Sequence, residues 1–140
     1  MTTHQTRFDK ANWTPRALEV FATAKALAVP GQIKRADLLL ALESGVSVAS
    51  GVFKRVGYLP SATLDRPAPE ALVADGDLYR EDFDPELQDC LPRDAHAEAR
   101  NMGWQYLGTD SLLLLLARLG IAGLPYDRVH EAIVAEHRNG

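Results

Sequence analysis

One five-residue signature occurs twice in this chain, and it constrains the fold more than any other feature. Trp13-Thr14-Pro15-Arg16-Ala17 and Phe83-Asp84-Pro85-Glu86-Leu87 share one layout: an aromatic, a capping oxygen, a proline, a charge and an apolar residue. Each component has a physical reason at a helix start. A Thr or Asp oxygen accepts from the free amides of the first turn, and the fixed φ of proline suits the first helical position. The aromatic ahead of the cap is placed to fold back as a hydrophobic staple, Trp13 over Leu18. Behind the first signature Ala17, Leu18, Phe21, Ala24, Leu27 and Ala28 recur at three- and four-residue steps, the mark of one buried helical stripe. In both halves a turn and a leucine-rich helix follow. The halves align at an offset of about seventy residues, so the chain reads as an internal duplication.

The first repeat spans about 13–57. Its opening helix ends at Pro30-Gly31, a second covers about Arg35 to Glu43, and a third runs from about Val46 to Val56 and stops at Gly57. Residues 58–82 hold Pro60, Pro67, Pro69 and Gly76 and read as a connector with one short helix near Pro69 to Ala74. The second repeat spans about 83–138. Its first helix ends at Gly103, Thr109 caps a leucine-rich helix from about Asp110 to Leu119, and an amphipathic helix covers about Tyr126 to His137. No counterpart of the third helix is expected in this repeat. Pro92 is expected to break or kink its first helix, because proline lacks the amide and clashes with the carbonyl four residues back. The fold class is therefore all-α: one domain over 1–140, about seven helices, two pseudo-repeats about an approximate two-fold.

Hydrophobic residues at 46% and charged residues at 24% suit a globular chain. A net charge of -4 supplies no basic stripe for phosphates, so no nucleic-acid partner is expected. Cys90 is the lone cysteine, which excludes an internal disulfide and fits a reducing compartment. Met1 to Lys10 is polar, without the apolar core of a signal peptide, and Leu112 to Ala117 is about a third of a bilayer span. A cytoplasmic chain with no membrane partner is the expectation. Neither a phosphate-binding Gly-x-x-x-x-Gly-Lys motif, nor a Gly-x-Ser-x-Gly elbow, nor metal-ligand spacing occurs, so no catalytic residue, metal or cofactor is expected, and no ATP hydrolysis.

The second half, through Phe83 to Leu87, Ala95, Glu98-Ala99-Arg100, Met102-Gly103 and Tyr106 to Leu114, resembles the repeat of the Clp N-terminal domain, which stands before the AAA+ motor of Clp-type unfoldases. The first half matches through Trp13 to Ala17, Asp37 to Leu42 and Gly45 to Gly57. Two departures are Gly103-Trp104 in place of Gly-His, and Lys34-Arg35-Ala36 where Gly-Thr-Glu would stand. The resemblance implies a module that receives substrates and adaptors, here without the motor. It also implies a site, because the family's acid matching Asp110 holds the guanidinium of a phosphorylated arginine and the threonine matching Thr14 helps hold the phosphate. Trp13, Thr14, Arg16, Phe83, Thr109, Asp110 and Ser111 are thus the candidate ligand-binding residues.

Against that stands a plainer role, with Thr109 as a helix cap and Asp110 as a dipole partner. Repeat one keeps Thr14 and Arg16 but has Ala36 in place of the acid; repeat two keeps Asp110 but opens with Asp84 and Glu86, which repel a phosphate. At most weak phosphoarginine binding is expected, and instead an unmodified peptide or protein surface met at Trp13 and Phe83, each staple ring keeping one face exposed. The acids Glu81, Asp82, Asp84, Glu86 and Asp89 read as a solvated helix start, and His130 and His137 as surface residues. Five leucines in a row, Leu112 to Leu116, cannot all face one core, so some must meet another helix or another molecule. The function expected is protein or peptide binding, the partner being a Clp adaptor, a substrate or the unfoldase. The alternative is a structural helical oligomerisation scaffold.

Overall fold

Both proline signatures open helices. In the structure, a computed structural model that describes residues 12–28, 32–44, 48–58, 78–121 and 123–138, Pro15 starts α1 (Pro15–Leu27) and Pro85 starts α4 (Pro85–Asn101). Between and after them lie α2 (Arg35–Ser44), α3 (Val48–Val56), α5 (Thr109–Leu119) and α6 (Tyr126–Arg138), with a 3-10 turn at Arg80–Asp82. The described residues are thus all-α, with six of the roughly seven helices expected. The connector helix near Pro69 to Ala74 falls outside them. Thr14 caps α1, its Oγ1 accepting from the Ala17 amide at 3.2 Å. The matching Asp84 makes no such bond.

Glycine ends α4 as expected. Gly103 takes φ +77, which lets its amide reach the Arg100 carbonyl at 3.0 Å and the Trp104 amide reach Ala99 at 2.9 Å. The same pair of bonds closes α3, from Gly57 to Lys54 and from Tyr58 to Phe53. Pro92, by contrast, does not break its helix: α4 runs continuously from Pro85 to Asn101. The proline forfeits one bond, to the Gln88 carbonyl, worth about 1 kcal/mol net. Continuity keeps Leu87, Leu91, Ala95 and Ala99 on one buried face, and a single buried leucine is worth about 2 kcal/mol. The packed face outweighs the lost bond.

The core is built around α5. Every residue from Thr109 to Ala117 is buried, and Leu112 to Leu116 are each 0% exposed. This is possible because α1, α2, α3, α4 and α6 all pack against α5. A helix apolar on all sides needs neighbours on all sides. Here the chain's own helices supply them, and none of the five leucines is left for another molecule. The expectation that the second repeat lacks a third helix is corrected. α6 follows α5 as α3 follows α2, and α3 and α6 pack on each other.

The duplication appears as an exchange between the halves. Trp13, at the head of α1, forms a parallel bridge with Leu107 in the α4–α5 loop; Phe83, at the head of α4, forms one with Ile33 in the α1–α2 loop. The hydrogen bonds repeat as well. Thr14 donates to the Leu107 carbonyl (2.8 Å) and Leu107 to Asn12 (2.7 Å); Asp84 donates to Ile33 (2.9 Å) and Ile33 to Asp82 (3.0 Å). Each repeat therefore completes the loop of the other. The second-helix starts correspond too, since the Lys34 amide donates to Asp37 Oδ2 and the Gly108 amide to Ser111 Oγ, both at 2.9 Å. Ser111 is fully buried and Asp37 is not. Ser111→Ala, which strands the Gly108 amide, is expected to cost about 1–2 kcal/mol, more than Asp37→Ala; urea melts of both variants check the order.

Candidate functional site

The exchange decides which of the expected site residues meet. Because Thr14 is bonded to Leu107, the start of α1 lies beside the loop that carries Gly108, Thr109 and Asp110. The Thr14 end of the first repeat is thus bonded to the loop that leads to Asp110 in the second, while Arg16 faces Glu19 at the surface. At the other junction, Arg35 meets Glu86, their side chains paired at 2.6 Å, while the Arg35 guanidinium also donates to the Leu119 carbonyl at 2.8 Å. The substituted residues of that junction satisfy one another.

Asp110 itself is turned inward. It is 3% exposed, and its Oδ1 accepts from the Ser111 amide at 2.7 Å. Its Oδ2 takes the Tyr106 hydroxyl at 3.3 Å and lies 2.9 Å from His137 Nε2. Thr109 and Ser111 are buried with it. The expectation of an open guanidinium-pairing acid is thus corrected: Thr109, Asp110 and Ser111 build the start of α5, and both Asp110 oxygens are occupied. Gly108 makes this possible, because a Cβ there would sit 2.8 Å from Asp110 Oδ1. Trp13 and Phe83 need the same correction. At 6% and 1% exposed they offer no ring face to a partner. Trp13 packs edge-on to Phe21 with centroids 4.8 Å apart, and Phe21 edge-on to Phe83 at 5.8 Å, so the staple aromatics join the two repeats inside the core. Arg16 stays exposed beside Glu19.

What the Asp110 network holds up is an aromatic wall. Trp104 is stacked on Tyr106, with centroids 5.6 Å apart, and lies 4.9 Å from the His137 ring. The two residues that flank it are the two that reach Asp110. Beside this wall opens a cleft of about 160 Å³ lined by Asn12, His96, Arg100, Trp104, Tyr106 and Leu107. Asn12 stands at φ +70, a left-handed conformation that asparagine tolerates better than most residues. Tyr106 is exposed at 36%. Sequence reasoning passed over this cleft; its one signal was the pair of aromatics Trp104 and Tyr106 in the turn after α4.

Burial first, then the Asp110 charge and hydrogen bond, push the Tyr106 phenol up to about 12. Tyr126 and Tyr58 are also pushed up, chiefly by burial and then by Glu98 and Glu43 respectively. Below the ordinary value of 10 the phenol is protonated folded or unfolded, so it adds no pH dependence. From there to about 12 the unfolded chain releases a proton that the fold retains, and stability falls as pH rises. Ionisation of Tyr106, followed by its ring NMR signals, should therefore appear late and together with loss of helix; its full ionisation near pH 10 in the folded protein would contradict these contacts.

The other clusters are internally paired. In the acidic run, Asp82 pairs with Lys25 at 3.0 Å, Glu86 with Arg35, and Asp89 with Arg80. Cys90 is buried, its thiol pushed up first by burial and bonded to the Glu86 carbonyl at 3.0 Å. Among the described residues no group of His, Cys, Asp or Glu is arranged to hold a metal, and no helix is long and apolar enough to cross a membrane. No protein-family model matches the chain, and no curated protein matches it.

Proposed function

We propose that this chain is a protein- or peptide-binding module, similar to the substrate- and adaptor-receiving N-terminal domain of Clp unfoldases. The reading is carried by the reciprocal bridging of the two repeats. It makes two related junctions with different side chains: an Arg35–Glu86 pair spans one, and an aromatic-walled cleft opens at the other. The cleft has the concave form and mixed aromatic and polar lining of a binding site. A module of this kind sequesters ligands from a Clp motor, competes for its adaptors, or delivers clients to it. The test is affinity capture with the intact chain as bait, read by mass spectrometry, beside sedimentation velocity of the purified protein. A stoichiometric partner, with a Clp component among those captured, is expected. Self-association with no other partner would instead make the chain an oligomerisation scaffold.

A further inference from the structure

We propose that the cleft bounded by Asn12, Arg100, Trp104 and Leu107 binds a carboxylate-bearing residue of a peptide, Arg100 pairing the carboxylate while the Trp104–Tyr106 wall covers the neighbouring side chain. This names the site and ligand chemistry of the reading above and rests on it. The first support is the charge that lines the cleft. His96 and Arg100 stand one turn apart on α4, so they share a face. Neither makes an ion pair among the described residues, whereas Arg16, Arg35, Arg55, Arg80, Arg93 and Arg118 all do; Arg128 is unpaired as well but lines no part of this cleft. Acids outnumber bases in this chain, 19 to 15, yet among the described residues no acid pairs with Arg100. A guanidinium presents a planar fork that matches a carboxylate with two parallel hydrogen bonds, and an aromatic border weakens competition from water.

The second support is the wall. Trp104 is held between Tyr106 and His137, and both of those are tied to the buried Asp110, so the ring is fixed before any ligand arrives. A preformed aromatic face lowers the ordering cost of binding. The third is size and edge chemistry. About 160 Å³ accommodates roughly one side chain rather than a folded surface, and the amides of Asn12 and Gln105 line the same cleft, suited to a peptide backbone. The carboxylate has two sources, an Asp or Glu side chain or a chain terminus.

Three short peptides separate these: a capped one with glutamate beside phenylalanine, its glutamine counterpart, and an uncapped one ending in phenylalanine with a free terminal carboxylate. Each is titrated into the isotope-labelled full chain, reading the Trp104 indole N–H and the amides of Arg100 to Gly108. Saturable shifts are expected with at least one carboxylate peptide, about tenfold weaker for the glutamine peptide and for Arg100→Gln. The exposed Arg128→Gln should bind like the parent. The carboxylate peptide that binds more tightly identifies the source. Equal affinity for the glutamine peptide, or full affinity in Arg100→Gln, overturns the assignment. Shifts that map away from Trp104 overturn it while leaving the peptide-binding reading intact. Silence from all three peptides alongside successful partner capture also overturns the cleft alone, and silence in both experiments overturns both.

Discussion

Phe21→Ala should cost about 4 kcal/mol of unfolding free energy and lower the melting temperature by roughly 10 °C. Phe21 is fully buried on α1 and touches Trp13 from its own repeat and Phe83 from the other, edge-on in both cases. The substitution removes an aromatic payload and two edge-to-face pairs, and the void is bordered by rings that cannot collapse into it. Because these rings join the repeats, and each repeat also closes the other's loop through the Trp13–Leu107 and Ile33–Phe83 bridges, the halves should still unfold as one unit. Calorimetry and urea melts followed by fluorescence check both points. A loss under about 1 kcal/mol, or two separable transitions, would mean that the repeats do not share this core.

Removing a half-exposed arginine should do nearly as much damage. Arg118→Ala is expected to cost about 3 kcal/mol, more than Glu98→Gln, although Arg118 is the more exposed partner. Glu98 on α4 is buried; its Oε1 pairs with Arg118 on α5, and its Oε2 takes the Tyr126 hydroxyl of α6 at 2.6 Å. The guanidinium also lies 4.2 Å from the centre of the Tyr126 ring. Without Arg118 a buried carboxylate keeps only a phenol as partner, which is the costly case. With Glu98→Gln the space stays filled, hydrogen bonds remain possible, and the freed arginine is solvated. The double variant should therefore be more stable than the sum of the two losses predicts. Denaturant melts of the four proteins give the coupling, and strict additivity would show that the pair does not bind the three helices together.

Much of the local structure was legible because it depends on neighbours in sequence. Thr14 and the two prolines mark helix starts wherever the chain folds, and Gly57 and Gly103 mark ends because the left-handed turn there is cheap only for glycine. The duplicated signature announced two related helical units, and the apolar periodicity announced the stripe of α1. Pro92 shows the limit of that logic. Its local cost is real, but the burial of the α4 face outweighs it, and burial depends on what stands opposite.

The site depended on tertiary structure almost entirely. Seen along the chain, each repeat looks like half a site, with Thr14 and Arg16 in one and Asp110 in the other. Only the exchange of loops brings the start of α1 against the loop before Asp110 and sets Arg35 against Glu86, because a hydrogen bond such as Thr14 to Leu107 spans residues far apart in sequence. Exposure was equally out of reach. An aromatic before a helix cap reads as a staple with one face free, yet Trp13 and Phe83 are enclosed by Phe21 and by each other's repeat, and the exposed large ring among the described residues is Tyr106. The helix starts at Pro15 and Pro85, the ends at Gly57 and Gly103 and the doubling of the unit are written along the chain, since they follow from backbone sterics and local hydrogen bonding. Which acids are buried, which rings form a wall and which of the described arginines are paired follow from packing, because burial and pairing are properties of the residues that meet in space.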